Sequence, residues 1–346
     1  MRITGLPQYI FIRLVMVSFL IGTALPDQAK SEDYIISLST SNCRALAMGG
    51  AFVAVNDDLA TSNFNPATFD LYRLPKNFKI TFFLNPITSA ASLTDRYMLD
   101  ENRQSRELAK SLAWLVKGIT FSAKFIAGGF IFSEESLYYK NRLRRDKFLD
   151  FETFGKDISH SFLLRFRLSE QVAVGFTTTL LEYRQETMEQ RDLVTSYGAM
   201  LKPNERVTIG VAYFGLAKKL PNFREPIQRM MDDTINLGLA YEPFSNTLLS
   251  CDIRNLNQIE NWDTFEIHAG VEQTVFSLLA LRGGYFQTQT QHQCFSTGIG
   301  LIDSNHFVKS ANKFGHNSFL FNYSLVFEKT EQQSARWHFF SFILRL

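Results

Sequence analysis

Along most of the chain, apolar and polar residues alternate one by one. From Thr234 to Tyr241, the residues Ile235, Leu237, Leu239 and Tyr241 share one parity, and Thr234, Asn236, Gly238 and Ala240 share the other. Phe265, Ile267, Ala269 and Val271 alternate in the same way with Thr264, Glu266, His268 and Gly270. Phe162, Leu164, Phe166 and Leu168 alternate with Ser161, Leu163, Arg165 and Arg167. Successive side chains of an extended chain point to opposite faces, so this period of two predicts strands with one apolar face. Fourteen such segments are predicted, near 78–90, 117–126, 128–139, 157–168, 170–184, 194–201, 205–215, 232–242, 246–255, 263–272, 277–288, 292–302, 315–328 and 335–346. Residues 100–116 read instead as an amphipathic helix, with Leu108, Leu112 and Leu115 on one side.

A one-faced sheet can be covered by a second sheet, as in a soluble sandwich, or by hydrocarbon. Three features favour hydrocarbon. Phe alone occurs 33 times in 346 residues. The polar parity carries small residues and isolated charges, as a wet interior would. The last predicted strand runs to the terminus with His338, Phe340, Phe342, Leu344 and Leu346 on one face. No apolar run reaches the roughly 18 residues that a membrane-spanning helix needs. A membrane form of this chain must therefore be a closed barrel, which leaves no bare strand edge in lipid. The expected class is all-β: a closed antiparallel transmembrane β-barrel of about 14 strands. The charge balance, 36 Lys and Arg against 34 Asp and Glu, excludes a polybasic nucleic-acid binder.

Residues 1–29 have the layout of a secretory signal, with Arg2 and Arg13 ahead of the apolar stretch Leu14–Leu25 and small residues for cleavage after Ala24 or Ala29. Cys43, Cys251 and Cys294 are too few for a disulfide framework and lack zinc-site spacing. Residues 30–74 form a distinct segment ahead of the barrel of 75–346. It is rich in small residues and breakers: Gly49-Gly50 permits close backbone approach, Asp57-Asp58 can cap or turn, and Asn65-Pro66 is a turn signal.

The block from Arg44 through Ala45, Ala47, Met48, Gly49, Gly50, Ala51, Phe52, Val53, Ala54 and Val55 to Asp57-Asp58, followed by Asn65-Pro66-Ala67, resembles the N-terminal signature of the FadL-like outer-membrane transporter superfamily, closest to its PorV/PorQ-like branch. Later segments agree, among them Ile235–Tyr241, Asp252 with Asn255-Leu256, His268–Glu272 and Leu281–Tyr285. The resemblance implies fourteen strands, with the N-terminal segment folded inside the lumen as a plug. It implies passage of hydrophobic or amphipathic small molecules across the outer membrane of a bacterial cell. For PorV-like relatives it implies instead a docking or shuttle role for exported proteins. The first role needs outer-membrane lipid and an amphipathic ligand, the second secretion-system proteins. The loops at 140–156, with Lys140, Arg142, Arg144, Arg145 and Lys147, and at 216–231 would serve the second role.

No catalytic constellation is legible. His160 and Ser161 are adjacent, so on a strand they face opposite ways, and no nucleophile elbow, phosphate loop, dinucleotide fingerprint or metal motif is present. Neither cofactor nor metal is expected, and the chain does not read as an enzyme. The informative charges are Arg165, Arg167, Glu266, His268 and Arg282, all on the polar parity. Arg at the lipid midplane of a barrel costs about 2–4 kcal/mol, so these side chains should point inward. There they could orient a carboxylate or phosphate head group, or form ion pairs that hold the plug to the wall.

Overall fold

The computed structural model describes residues 33–37, 40–57, 59–69, 78–93, 114–135, 157–185, 188–216, 234–257, 265–275, 279–288, 293–301, 318–329 and 334–346. In chain order these are β1 (Asp33–Ser37), α1 (Cys43–Ala47), two 3-10 turns (Ala60–Asn63 and Pro66–Thr68), β2 (Lys79–Leu84), α2 (Pro86–Leu93), β3 (Val116–Ser122), β4 (Ile126–Glu135) and β5 (Asp157–Arg167). Then follow β6 (Val172–Gln185), β7 (Met188–Asn204), β8 (Val207–Leu216), β9 (Thr234–Phe244), β10 (Thr247–Arg254), β11 (Glu266–Val275), β12 (Leu279–Thr288), β13 (Gln293–Leu301), β14 (Ser318–Lys329) and β15 (Ser334–Arg345).

Strands β2 to β15 form one antiparallel succession, each paired with the next, and β15 returns to β2 to close the ring. The barrel is thus closed and fourteen-stranded, and every one of the fourteen predicted segments contributes a strand. Burial runs opposite to that of a soluble protein. On β9, Ile235, Leu237, Leu239 and Tyr241 are exposed while Thr234, Asn236 and Ala240 are buried. Phe130, Phe166, Tyr197, Ile267 and Phe295 are likewise exposed. The apolar parity faces out on every side, a surface that only hydrocarbon can cover. Most connections at one end are short, such as 168–171, 205–206 and 245–246, with 302–317 the exception; at the other end β4 joins β5 and β8 joins β9 through 136–156 and 217–233, which lie outside the described residues.

Two features depart from a simple ring. The predicted first strand, 78–90, is extended only to Leu84. At Asn85-Pro86 the chain turns into α2, because Pro86 has no N–H for a ladder and the Asn85 Oδ1 accepts the Thr88 amide at 3.1 Å. The closing contact between β2 and β15 is consequently short: Leu344 opposite Leu84, Arg345 opposite Phe83, and reciprocal amide bonds between Phe82 and Leu346. The other half of the β15 edge is taken by β1, which runs parallel to it from Asp33 opposite Ala335 to Ser37 opposite Phe339. Helix α2 packs on β15 as well. Part of the predicted N-terminal segment is therefore wall. The predicted helix at 100–116 lies outside the described residues except at its end, where Trp114 and Leu115 are helical and Val116 already opens β3. The signal segment 1–29 and the boundary at 74–75 also lie outside them.

Residues 40–57 and 59–69 fill the interior. α1 packs on β12 to β15, and the turn at Pro66–Thr68 packs on β5 to β8. A fourteen-stranded ring is too wide to be filled by its own side chains, so an inserted segment is the physically economical core. Its approach to the wall is backbone on backbone. Inward positions on six strands are glycine, at Gly175, Gly198, Gly210, Gly238, Gly270 and Gly284. A Cβ at Gly270 would sit 2.5 Å from the Met48 carbonyl oxygen, and one at Gly284 would sit 2.6 Å from the Gly49 Cα. Gly175 faces Gly198, Gly210 faces Gly238, and Gly270 faces Gly284 across the ladders, so the small positions form a belt.

Candidate functional site

The site is the contact between the luminal segment and the inner wall. Its centre is the Gly49-Gly50 turn, where both residues have positive φ, 64° and 74°. L residues with side chains rarely adopt this region, and a Cβ on Gly49 would also meet the Tyr285 backbone at 2.6 Å. The wall grips this turn by its main chain. Ser296 Oγ accepts the Gly49 amide at 2.9 Å and donates to the Ala47 carbonyl at 3.0 Å. His268 Nδ1 lies 2.6 Å from the Gly49 carbonyl, and the Arg254 guanidinium donates to the Gly50 carbonyl. Asp252 Oδ2 accepts the amides of Phe52 at 2.7 Å and Val53 at 3.0 Å.

A second group ties α1 to the wall through charge. The Arg44 guanidinium donates from Nε and Nη2 to Glu272 at 2.8 and 2.7 Å, and from Nη1 to Asp57 at 3.0 Å. Although burial works against a cation, the carboxylates of Glu272 and Asp57 raise the Arg44 pKa above its ordinary value. Arg282 donates from Nε to the same Glu272 at 2.6 Å and from Nη1 to Asn322 at 2.7 Å. Near β3, Lys117 and Glu134 form a fully buried pair at 2.7 Å, and Glu134 also accepts the Ser41 amide. The 3-10 turn at Pro66–Thr68 is fixed by Asn65, which caps it by accepting the Ala67 amide and donates to the carbonyls of Val53 and Ala199.

Most residues singled out in the sequence thus converge. Arg44, Gly49, Gly50, Asp57, Asn65 and Pro66 lie in the luminal segment, and Glu266, His268 and Arg282 are buried beneath it. Arg165 is buried on β5, facing in. Arg167, the last residue of β5, is half-buried at the short-turn end and donates to the Ser169 carbonyl, apart from the cluster. Asp58 lies outside the described residues. Cys43, Cys251 and Cys294 are free thiols, and burial pushes that of Cys43 well above its usual range. Sequence reasoning missed the roles of Asp252, Arg254, Glu272, Ser296 and the Lys117–Glu134 pair. A signal existed for the first two, a carboxylate and a guanidinium two residues apart on one strand face.

The side of the interior next to β2 carries an apolar patch beside the Lys117–Glu134 pair. Leu59 and Phe69 of the luminal segment pack with Phe83, Ala127, Ile131, Leu163 and Ile343 of β2, β4, β5 and β15. This patch adjoins the seam where β2 gives way to α2. Among the described residues no cluster of His, Cys, Asp and Glu has the makings of a metal site.

Fold and site together define a closed β-barrel with an apolar exterior and an interior occupied by its own N-terminal segment. No protein-family model and no curated protein matches the sequence. Among solved structures, the chain is similar to the CymD monoaromatic hydrocarbon channel, at 10% identity and a TM-score of 0.44, over 87% of this chain and 94% of that one. It is also similar to a mutant of the Rh. blastica porin, at 8% identity and a TM-score of 0.34, over 67% and 77% of the respective chains.

Proposed function

We propose that this chain is a bacterial outer-membrane barrel of FadL-like type that passes hydrophobic or amphipathic small molecules without an energy source, with residues 40–69 as its plug. The observation that carries this reading is the two-sided interior. Charged residues and backbone clasps hold the plug on β10 to β14, whereas an apolar patch lines the side next to the β2–β15 seam. Once Leu59 and Phe69 withdraw, the second side offers an apolar surface to an aliphatic tail. The seam supports an exit that is sideways as well as axial, because β2 and β15 share so short a ladder. Short turns then face the periplasm and long loops the exterior, the usual arrangement of such barrels. The docking role for exported proteins rests on 140–156 and 216–231, which apart from Leu216 lie outside the described residues.

The test is transfer of a fluorescent fatty-acid analogue into liposomes that carry the purified protein. In a background without native cysteines, A47C/S296C locks the plug to the wall when oxidised. The open form should speed transfer, and oxidation should abolish the gain. Equal rates for open, locked and protein-free vesicles would end the proposal.

A further inference from the structure

Both ring nitrogens of His268 face acceptors. Nδ1 lies 2.6 Å from the Gly49 carbonyl oxygen and Nε2 lies 3.1 Å from Glu266 Oε2, with histidine and glutamate fully buried. A carbonyl cannot donate, so the proton in the first contact belongs to Nδ1. The second contact then needs a proton of its own, on Nε2 or on the carboxyl. In either arrangement the pair holds one proton more than a neutral imidazole beside an ionised carboxylate. Without that proton the ring can satisfy only one side. The Nδ1–H tautomer would keep Gly49 but turn a lone pair to an ionised carboxylate; the Nε2–H tautomer keeps the stronger charge-assisted bond to Glu266 and turns a lone pair to the Gly49 carbonyl, so it prevails and Gly49 is released.

We propose that this shared proton is a latch on the plug: bound, it secures the Gly49-Gly50 turn to the wall, and lost, it frees that turn. The inference rests on the reading of residues 40–69 as a plug and adds its control. Among the described residues, the following groups face the ring. Glu266 lies on its own strand. From β10 come the carboxylate of Asp252 and the guanidinium of Arg254, themselves 3.5 Å apart. β12 contributes the Phe286 ring, stacked at 4.5 Å, and the luminal segment contributes the Gly49 carbonyl. Burial and Arg254 oppose a positive ring, while Glu266, the Gly49 carbonyl and Asp252 favour it. The sign follows directly: the latch is present at low pH and is lost as pH rises, the proton passing to water.

The discriminating variant is Glu266→Gln. An amide at this position donates an N–H to Nε2 while Nδ1 keeps its proton toward Gly49, so the latch closes with no titratable proton. Two readouts are taken from about pH 5 to about pH 9, the range in which histidines commonly titrate. One is nuclear magnetic resonance of isotope-labelled histidine, which reports protonation at each ring nitrogen. The other is efflux of a small polar dye from liposomes. In the native protein the Nδ1 resonance should shift as that nitrogen loses its proton, and efflux should rise several-fold over the same pH interval. In E266Q, efflux should stay at the low level throughout. A native efflux that stays flat while the ring loses its proton overturns the latch, and so does an E266Q protein that keeps the native pH slope. These outcomes stand apart from fatty-acid transfer at fixed pH, which tests the plug-and-transport reading itself. Should E266Q fail to insert, the two native titrations alone decide the matter.

Discussion

Gly49 combines two demands, a positive φ and contact with the Tyr285 backbone, and a substitution must violate both. Gly49→Ala should lower stability by at least the ~1–3 kcal/mol that such strain costs, read as a shift in urea unfolding from lipid vesicles. Gly284→Ala, without a positive φ but with its Cβ driven still closer onto the Met48–Gly49 backbone, should shift it at least as much. Arg44→Ala removes one of two guanidiniums from Glu272 and one donor from the partly exposed Asp57. The loss should fall below the ~3–5 kcal/mol typical of breaking a buried ion pair, because Arg282 still neutralises the Glu272 carboxylate. Arg44→Met, which keeps the apolar stem, should fall between alanine and native. At this scale the sequence said which residues matter but not with whom they pair. Arg44 and Glu272 are 228 positions apart, and only the seating of α1 inside the barrel puts them in contact. Parity marked Glu266, His268 and Arg282 as inward-facing; their partners depend on where the luminal segment lies, for which no local pattern exists.

Among the elements, the alternating strands were legible because hydrocarbon outside and a polar interior impose the same period on every one of them. The exceptions have identifiable causes. The turn at Asn85-Pro86 stops β2 although apolar residues continue beyond it, and β1 is five residues whose pairing is set entirely by distant β15. β1 also has a measurable job. Removing 33–37 should leave the upper backbone groups of β15 facing lipid, at several kcal/mol for each unsatisfied group. The variant is expected to lose resistance to unfolding in heated detergent and to associate edge to edge, seen as dimers after cross-linking. Retention of native heat resistance would mean that other residues cover this edge.

The molecule as a whole is an inside-out protein whose exterior needs an amphiphile and whose interior is completed by its own leading segment. Deleting 40–69 should raise the permeability of small polar solutes in liposomes strongly, since a ring of this size is not closed by its own side chains. If the deleted form does not insert, the A47C/S296C pair supplies the same comparison in reverse, with reduction opening what oxidation shut.

The glycine belt has a bearing on biogenesis. With main chain pressed against main chain at six strands, a finished hoop offers no slack through which a peptide could later be drawn. The leading stretch must therefore already lie across the unrolled sheet when first and last strands meet, and it acts as the mandrel on which the cylinder is rolled. Mutations that delay its docking should then show themselves during maturation in the cell, as stalled and protease-sensitive precursors, well before any defect is visible in the completed protein.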